Sequence, residues 1–130
     1  MDQKSQPNVT VENHFDMWNE TDPARRRAAV EAVWTPDAQS IDPIASATGW
    51  QAIEQFVITL QAQYPDHAVL LSGEVDQHHN RLRFPWVIKN PAGEVVLSGI
   101  DCVRLANEGR FAELTGFFDG TLPVSTHQGL

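Results

Sequence analysis

The chain has 130 residues, 42% of them hydrophobic and 20% charged, a composition typical of one globular domain. Its formal net charge is −8, so a nucleic acid or an anionic membrane, both of which attract basic surfaces, is not an expected partner. The single cysteine, Cys102, excludes a disulfide within the chain, and the sequence has neither an apolar signal region at its start nor a long apolar run. We therefore expect a cytoplasmic protein.

The first third of the chain predicts two helices. From about residue 9 to residue 20, Val11, Phe15 and Trp18 recur at spacings of four and three, which gives this segment one apolar face. Asp22 and Pro23 have the order of an N-cap and a first-turn proline, and they predict a second helix that reaches about residue 34.

Arg25–Arg27, in the second helix, is the only basic run and is expected to face solvent, with a docking patch as the alternative.

A third helix is predicted after a short extended segment. Thr48 and Gln51 have the spacing of a capping box at the start of the third helix, and Pro65 ends it. Between the helices, residues 38–42 predict a brief strand.

After residue 66 the hydrophobic pattern alternates, which indicates long strands joined by turn sequences. These strands cover about residues 68–78, 81–90, 94–106 and 110–119. Helices followed by a meander of strands predict an α+β fold in which the helices pack on one face of the sheet. We expect one domain over residues 1–130, with a cone-shaped, curved antiparallel or mixed sheet closed by three N-terminal helices around an interior pocket.

Two carboxylates stand out against this pattern. The more apolar face of the 95–105 strand carries Asp101, and a buried carboxylate must be hydrogen-bonded or protonated, a common mark of a functional site. The alternative is a shift of one residue that turns Asp101 outward. Asp42 ends the short strand before Pro43, where it could simply start a turn. Small residues such as Gly99 hint at open space among the bulky side chains.

The sequence contains no phosphate-cradling glycine motif and no dinucleotide fingerprint, so no cofactor is expected. His78 and His79 are neighbours in sequence, and neighbouring strand residues point to opposite faces. They cannot easily chelate one ion, so no metal site is expected either.

Four segments carry a resemblance to a known superfamily. They are Pro36–Pro43, Gly49–Phe56, Phe84–Trp86 and Gly99–Arg110. In these segments the chain resembles the nuclear-transport-factor-2-like (NTF2-like, cystatin-like) superfamily, which includes ketosteroid isomerases and polyketide cyclases of the SnoaL type. The resemblance covers the chain from about residue 11 to residue 118.

The resemblance implies roles for individual residues. Asp42 falls where the isomerases keep a proton-shuttling base, and Asp101 where they keep a protonated acid that hydrogen-bonds the enolate oxygen. Phe15 stands in place of their tyrosine oxyanion donor, and Trp18, one turn away, offers an indole N–H. The positions that the resemblance implies to line the pocket are Trp34, Phe56, Trp86, Leu114 and Phe118.

Three functional hypotheses remain open from the sequence. The first is an acid/base enzyme, an isomerase or cyclase, acting on a small apolar carbonyl compound, with Asp42 as base and Asp101 as neutral acid. The second is a non-catalytic binding protein for a small apolar metabolite. The third is a dimeric accessory module; the resemblance implies a homodimer, to which Phe117 and the 81–89 strand could contribute.

Overall fold

A computed structural model describes residues 6–119, with side chains described from residue 8 onward. The helices are α1 (Gln6–Asn19), α2 (Pro23–Val33) and α3 (Trp50–Gln63). The strands are β1 (Trp34–Ile41), β2 (Ser46–Thr48), β3 (Ala68–Leu71), β4 (Asp76–His78), β5 (Arg81–Lys89), β6 (Val95–Leu105) and β7 (Phe111–Phe118). No helix within this described part is both long and apolar enough to cross a membrane.

The seven strands form one curved, unclosed mixed sheet. Its order is β2-β1-β7-β6-β5-β3, and β4 pairs with β5 beside β3. Only the β1–β7 pairing is parallel among the pairings described. The helices pack against one face of this sheet, and the core between the two layers includes Trp34, Phe84 and Phe111. The predicted α+β class is confirmed.

The alternation predicted for β6 is also confirmed. Gly99, Asp101, Val103 and Leu105 are buried, whereas Arg104 between the last two is exposed. The alternative register, in which Asp101 points outward, is therefore wrong.

The strand predicted over residues 68–78 is in fact two strands. β3 pairs with residues 86–89 of β5, and β4 pairs with residues 81–83 of the same strand. The pairing along this edge of β5 is therefore interrupted near Pro85. A proline cannot donate to a strand ladder. Ser72 N donates instead to the Pro85 carbonyl over 3.0 Å, and Gly73 lies against the ring.

The capping box predicted at Thr48 is wrong. Thr48 belongs to β2 and pairs with Gln39, so its backbone is part of the sheet. The N-cap of α3 is Gly49, at φ +88°, and no side chain caps the helix there. Glycine suits this position because other residues are strained at positive φ.

The basic run of α2 was expected to face solvent, but one of its three residues is buried. Asp22 caps the helix as predicted, accepting from Arg25 N over 2.9 Å. Arg26, however, is buried on the same stripe as Val30 and Val33, because residues spaced by four and three share a helix face. Its guanidinium lies 3.4 Å from the Gln61 amide oxygen and 3.9 Å from the Glu54 carboxylate.

Candidate functional site

A cavity lies between the helices and the buried face of the sheet. Its volume is about 60 Å³, room for a few water molecules. Its polar lining residues are His14, Ser40, Asp42 and Asp101. The apolar lining residues are Phe15, Trp18, Phe56, Leu60, Val69, Trp86, Ile88, Leu97, Leu114 and Phe118. The lining residues that are partly exposed are all apolar, with the exception of Asp42, whereas His14, Ser40 and Asp101 are buried. The cavity therefore has a mainly apolar edge toward solvent and polar groups deeper inside.

Asp101 is held by the centre of the sheet. It sits on β6 with Phe84 of β5 and Gly116 of β7 as its cross-strand partners, and it is 9% exposed. The indole Nε1 of Trp86 donates to its Oδ1 over 3.1 Å. This bond fixes the carboxyl group and occupies one of its two oxygens.

Asp42 follows the last residue of β1. Its Oδ1 accepts hydrogen bonds from Ile44 N at 2.8 Å and Ala45 N at 2.9 Å. The side chain therefore does shape a turn, one of the two roles considered for it, but it also lines the cavity. Both bonds are made by Oδ1, so they leave Oδ2 unoccupied by the turn.

Burial raises the pKa of Asp42 above its ordinary value of 3.8. The hydrogen bonds from Ile44 and Ala45 act in the opposite direction because they favour the charged form, and the nearby Asp101 carboxyl adds to the increase. Asp42 is thus a stronger base than a carboxylate in water.

Gly116 leaves a space between the Asp101 carboxyl group and the Asp42 side chain. A Cβ atom at this position would lie 3.0 Å from Asp101 Oδ1 and 3.2 Å from Asp42 Cβ. The two acidic residues therefore flank the same small space on β7, which only a residue without a side chain leaves open.

His14 is a member of the site that the sequence analysis missed. It is 1% exposed, and its Nε2 lies 3.7 Å from Asp101 Oδ2 and 3.1 Å from Trp18 Nε1. A signal was present, since His14 lies three residues after Val11 and four before Trp18, on the apolar face of α1. A titratable residue on a buried helix face is as unusual as one on a buried strand face.

Trp34 and Gly99, both expected at the pocket, do not line the cavity. Trp34 is 0% exposed within the core, where its indole N–H points to Met17 Sδ at 3.3 Å. A Cβ atom at residue 99 would lie 2.5 Å from the Trp86 ring. Gly99 therefore makes room for the indole that bonds Asp101.

The other expected pocket residues, Phe15, Trp18, Phe56, Trp86, Leu114 and Phe118, line the cavity. The Trp18 N–H, considered as a replacement oxyanion donor, is already bonded to His14. His78 and His79 are exposed outside the cavity, and no group of three metal-ligating side chains occurs in the described range 8–119.

Comparison with solved structures identifies similar proteins. A proposed isomerase of the SnoaL-like family from Agrobacterium tumefaciens str. C58 is 32% identical, with a TM-score of 0.84 over 90% of this chain and 100% of that one. A proposed SnoaL-like polyketide cyclase from Jannaschia sp. CCS1 is 20% identical, with a TM-score of 0.72 over 92% of each chain. An NTF2-like protein of unknown function from Exiguobacterium sp. 255-15 is 21% identical, with a TM-score of 0.69 over 86% of this chain and 99% of that one.

The last two similarities establish the fold alone, whereas the first is close enough to establish the family. No protein-family model matches the sequence, and no curated protein matches it. The predicted resemblance is confirmed by the structural comparison. The chain belongs to the SnoaL-like family.

Proposed function

We propose that this protein catalyses proton transfer at carbon on a small apolar carbonyl compound, in an isomerisation or an aldol-type cyclisation. The observation that carries the proposal is that Asp42 and Asp101 line one cavity with an apolar edge. The relatives described as an isomerase and a cyclase support this reaction class.

Asp42 is the proposed base, which removes a proton from the carbon beside the carbonyl. Its raised pKa brings it closer to neutrality, where a base is both ionised and effective. The two backbone N–H groups on Oδ1 hold the carboxylate in one orientation, which favours proton transfer to Oδ2.

Asp101 is the proposed acid, which donates a hydrogen bond to the carbonyl oxygen as negative charge develops there. A neutral carboxylic acid can act in this way in an apolar site. Trp86 already donates to Oδ1, so the proton available to a substrate is carried by Oδ2.

The cavity favours a small substrate. Its volume of about 60 Å³ holds a few water molecules, and a steroid-sized compound would have to displace the aromatic side chains around it.

Phe15 also offers no hydroxyl where the isomerases that the chain resembles use tyrosine. Loss of one such donor typically lowers the rate by about 10²–10³.

The experiment is to measure deuterium exchange at the α-carbon of small cyclic enones and diketones by NMR. We expect exchange by the wild type and a fall of about 10²–10⁴-fold in kcat for Asp42→Asn. Asp16→Asn, which removes an exposed carboxylate from α1, is the matched control and should exchange like the wild type. Equal rates for the wild type and Asp42→Asn on every substrate would refute the base role.

A second candidate function is binding without catalysis. Both indole N–H groups at the cavity, those of Trp18 and Trp86, already donate to protein side chains. Neither indole is therefore free to help Asp101 stabilise a negatively charged substrate oxygen. If small ketones raise the melting temperature of the wild type and of Asp42→Asn equally, and no exchange occurs, the binding function is favoured over the enzyme.

We also propose that the protein forms a homodimer through the sheet face opposite the helices. Phe117, next to the buried Gly116 on β7, is 53% exposed on that face. Exposed apolar patches on a sheet are typical of contacts between copies, and Phe117 is the largest of the exposed hydrophobic side chains in the described residues.

A further inference from the structure

We propose that Trp18 and His14 are positioning residues that keep a proton on Asp101. The inference rests on the proposed function, in which Asp101 is the acid. It assigns a role to the buried histidine and explains how a carboxyl group next to an imidazole can remain protonated.

The hydrogen bond from Trp18 determines the state of His14. An indole N–H can only donate, so the His14 Nε2 atom 3.1 Å away must accept with its lone pair. The imidazole is therefore neutral and carries its proton on Nδ1. No described residue forms a hydrogen bond with Nδ1, so the contact at Nε2 decides the tautomer.

The same Nε2 atom faces Asp101 Oδ2 at 3.7 Å. An ionised Asp101 would present a charged oxygen to a lone pair, whereas a proton on Oδ2 makes this approach favourable. The distance is longer than a hydrogen bond, and Nε2 is already bonded to Trp18. The proton on Asp101 thus stays available to a carbonyl oxygen that enters the cavity.

The surroundings favour this arrangement. The His14 ring packs against the rings of Phe15, Trp34, Phe84 and Phe111, none of which carries a charge. The other titratable group lining the cavity is Asp42. Charge on either carboxyl group disfavours charge on the other, so the pair favours one negative charge, which the proposed mechanism assigns to Asp42.

Without the Trp18 indole, the Nε2 lone pair would be free. His14 is the stronger base of the two groups in water, so it would take the proton from Asp101 and form an imidazolium–carboxylate pair. The proton would move from Oδ2 to Nε2, and the acid of the site would be lost.

Two spectroscopic measurements on the ligand-free protein test the inference. In ¹H–¹⁵N correlation spectra of the wild type near neutral pH, we expect His14 to be neutral with its proton on Nδ1. In infrared difference spectra between wild type and Asp101→Asn, we expect the C=O band of a protonated carboxyl group. An imidazolium or an Nε2–H tautomer at His14, or absence of the carboxylic acid band, would overturn the proposal.

The decisive variant is Trp18→Phe, which keeps an aromatic ring at a partly exposed position. We expect His14 to become an imidazolium and the carboxylic acid band of Asp101 to disappear. The control is Trp50→Phe, because Trp50 donates its N–H to the Trp34 carbonyl over 2.8 Å and does not line the cavity. Unchanged signals for His14 and Asp101 in folded Trp18→Phe would also overturn the proposal.

These measurements need no substrate. If they fail while Asp42→Asn still abolishes exchange, the positioning role is wrong and the proposed function stands. If exchange is absent in the wild type while the spectra agree with expectation, the proposed function is wrong and the proton arrangement stands.

Discussion

At the scale of single residues, Asp42 combines a structural role with a chemical one. Its Oδ1 accepts from the backbone of Ile44 and Ala45, which forms the turn after β1, while burial makes the charged form of the same carboxyl group unfavourable. The turn does not require a charge, since an amide oxygen could accept the same two bonds. The charge is therefore retained at a cost in stability.

This cost gives a prediction for Asp42→Asn. A carboxyl group whose pKa is raised in the folded state adds stability that is fully present below its unfolded pKa and is lost as pH rises through the folded value. We expect Asp42→Asn to have a larger free energy of unfolding than wild type at neutral pH, and the difference to shrink as pH falls through the raised folded value toward the ordinary value of 3.8, below which it no longer changes. Urea unfolding at a series of pH values measures it. A variant that is less stable than wild type at neutral pH would contradict the burial of this carboxylate.

The sequence identified Asp101 but not His14, although both are polar residues on buried faces. Strand alternation is strict, so one acid among Leu97, Val103 and Leu105 is conspicuous. A helix face is wider and less sharply bounded, so His14 beside Phe15 does not break its pattern as clearly. Its bond to Trp18 also depends on rotamers that the sequence does not specify.

At the scale of elements, two glycines on neighbouring strands set the geometry of the site in different ways. A Cβ atom at Gly116 would lie 3.0 Å from Asp101 Oδ1 and 3.2 Å from Asp42 Cβ, so it would press on the acidic side chains of the site. A side chain at Gly99 would meet the backbone oxygen of Phe117 at 2.2 Å, which cannot move without disturbing β7. A substitution at Gly116 would thus disturb the acidic side chains themselves, whereas one at Gly99 would disturb the sheet and the Trp86 indole that bonds Asp101.

Alanine substitutions separate these roles. We expect Gly116→Ala to displace the carboxyl groups and to lower the exchange rate by up to about 10²-fold while the protein remains folded. Gly99→Ala should, unlike Gly116→Ala, lower the free energy of unfolding by about 1–3 kcal/mol, because the backbone is overpacked, whatever it does to the Trp86 indole beside it. Thermal or urea unfolding together with exchange kinetics on both variants distinguishes them. If Gly116→Ala exchanges at the wild-type rate, the close approach of the two acids is not needed.

Asn19 at the end of α1 gives a second prediction at this scale. Its side chain pairs with edge strand β3, donating to the Val69 carbonyl and accepting from Val69 N, both at 2.9 Å. The contact holds Val69 of β3 near Trp18, and both residues line the cavity. We expect Asn19→Ala to lower the free energy of unfolding by roughly 0.5–1.5 kcal/mol and to speed amide hydrogen exchange at Val69. Unchanged protection of that amide would show that Asn19 does not hold the strand.

The elements were predictable where local patterns determine them. The N-cap at Asp22 and the alternation of β6 depend on neighbours in sequence. The division of the predicted 68–78 strand depends on Pro85 in the adjacent strand, and the failed capping box on the pairing of Thr48 with Gln39. These contacts are distant in sequence, so a local pattern does not contain them.

At the scale of the whole molecule, the proposed homodimer should depend on Phe117. We expect the wild type to sediment as a dimer and Phe117→Asp to sediment as a monomer, because a charge would then be buried at the contact. Exposed Val95, at the start of β6, offers a matched control: it is six residues before Asp101 and so lies on the other side of the strand from Ile100, the cross-strand partner of Phe117, and Val95→Asp should remain a dimer. A monomeric wild type at all concentrations would remove the dimer from the account.

The most direct test of the account is a ¹³C NMR titration of the Asp42 side-chain carboxyl group. The account depends on this acid being withdrawn from water into the cavity that Asp101 also lines. We predict a midpoint clearly above 3.8, since burial is the largest cause of the shift. A midpoint at or below that ordinary value would mean that burial does not outweigh the hydrogen bonds from Ile44 and Ala45, and the proposed base would lose its physical foundation.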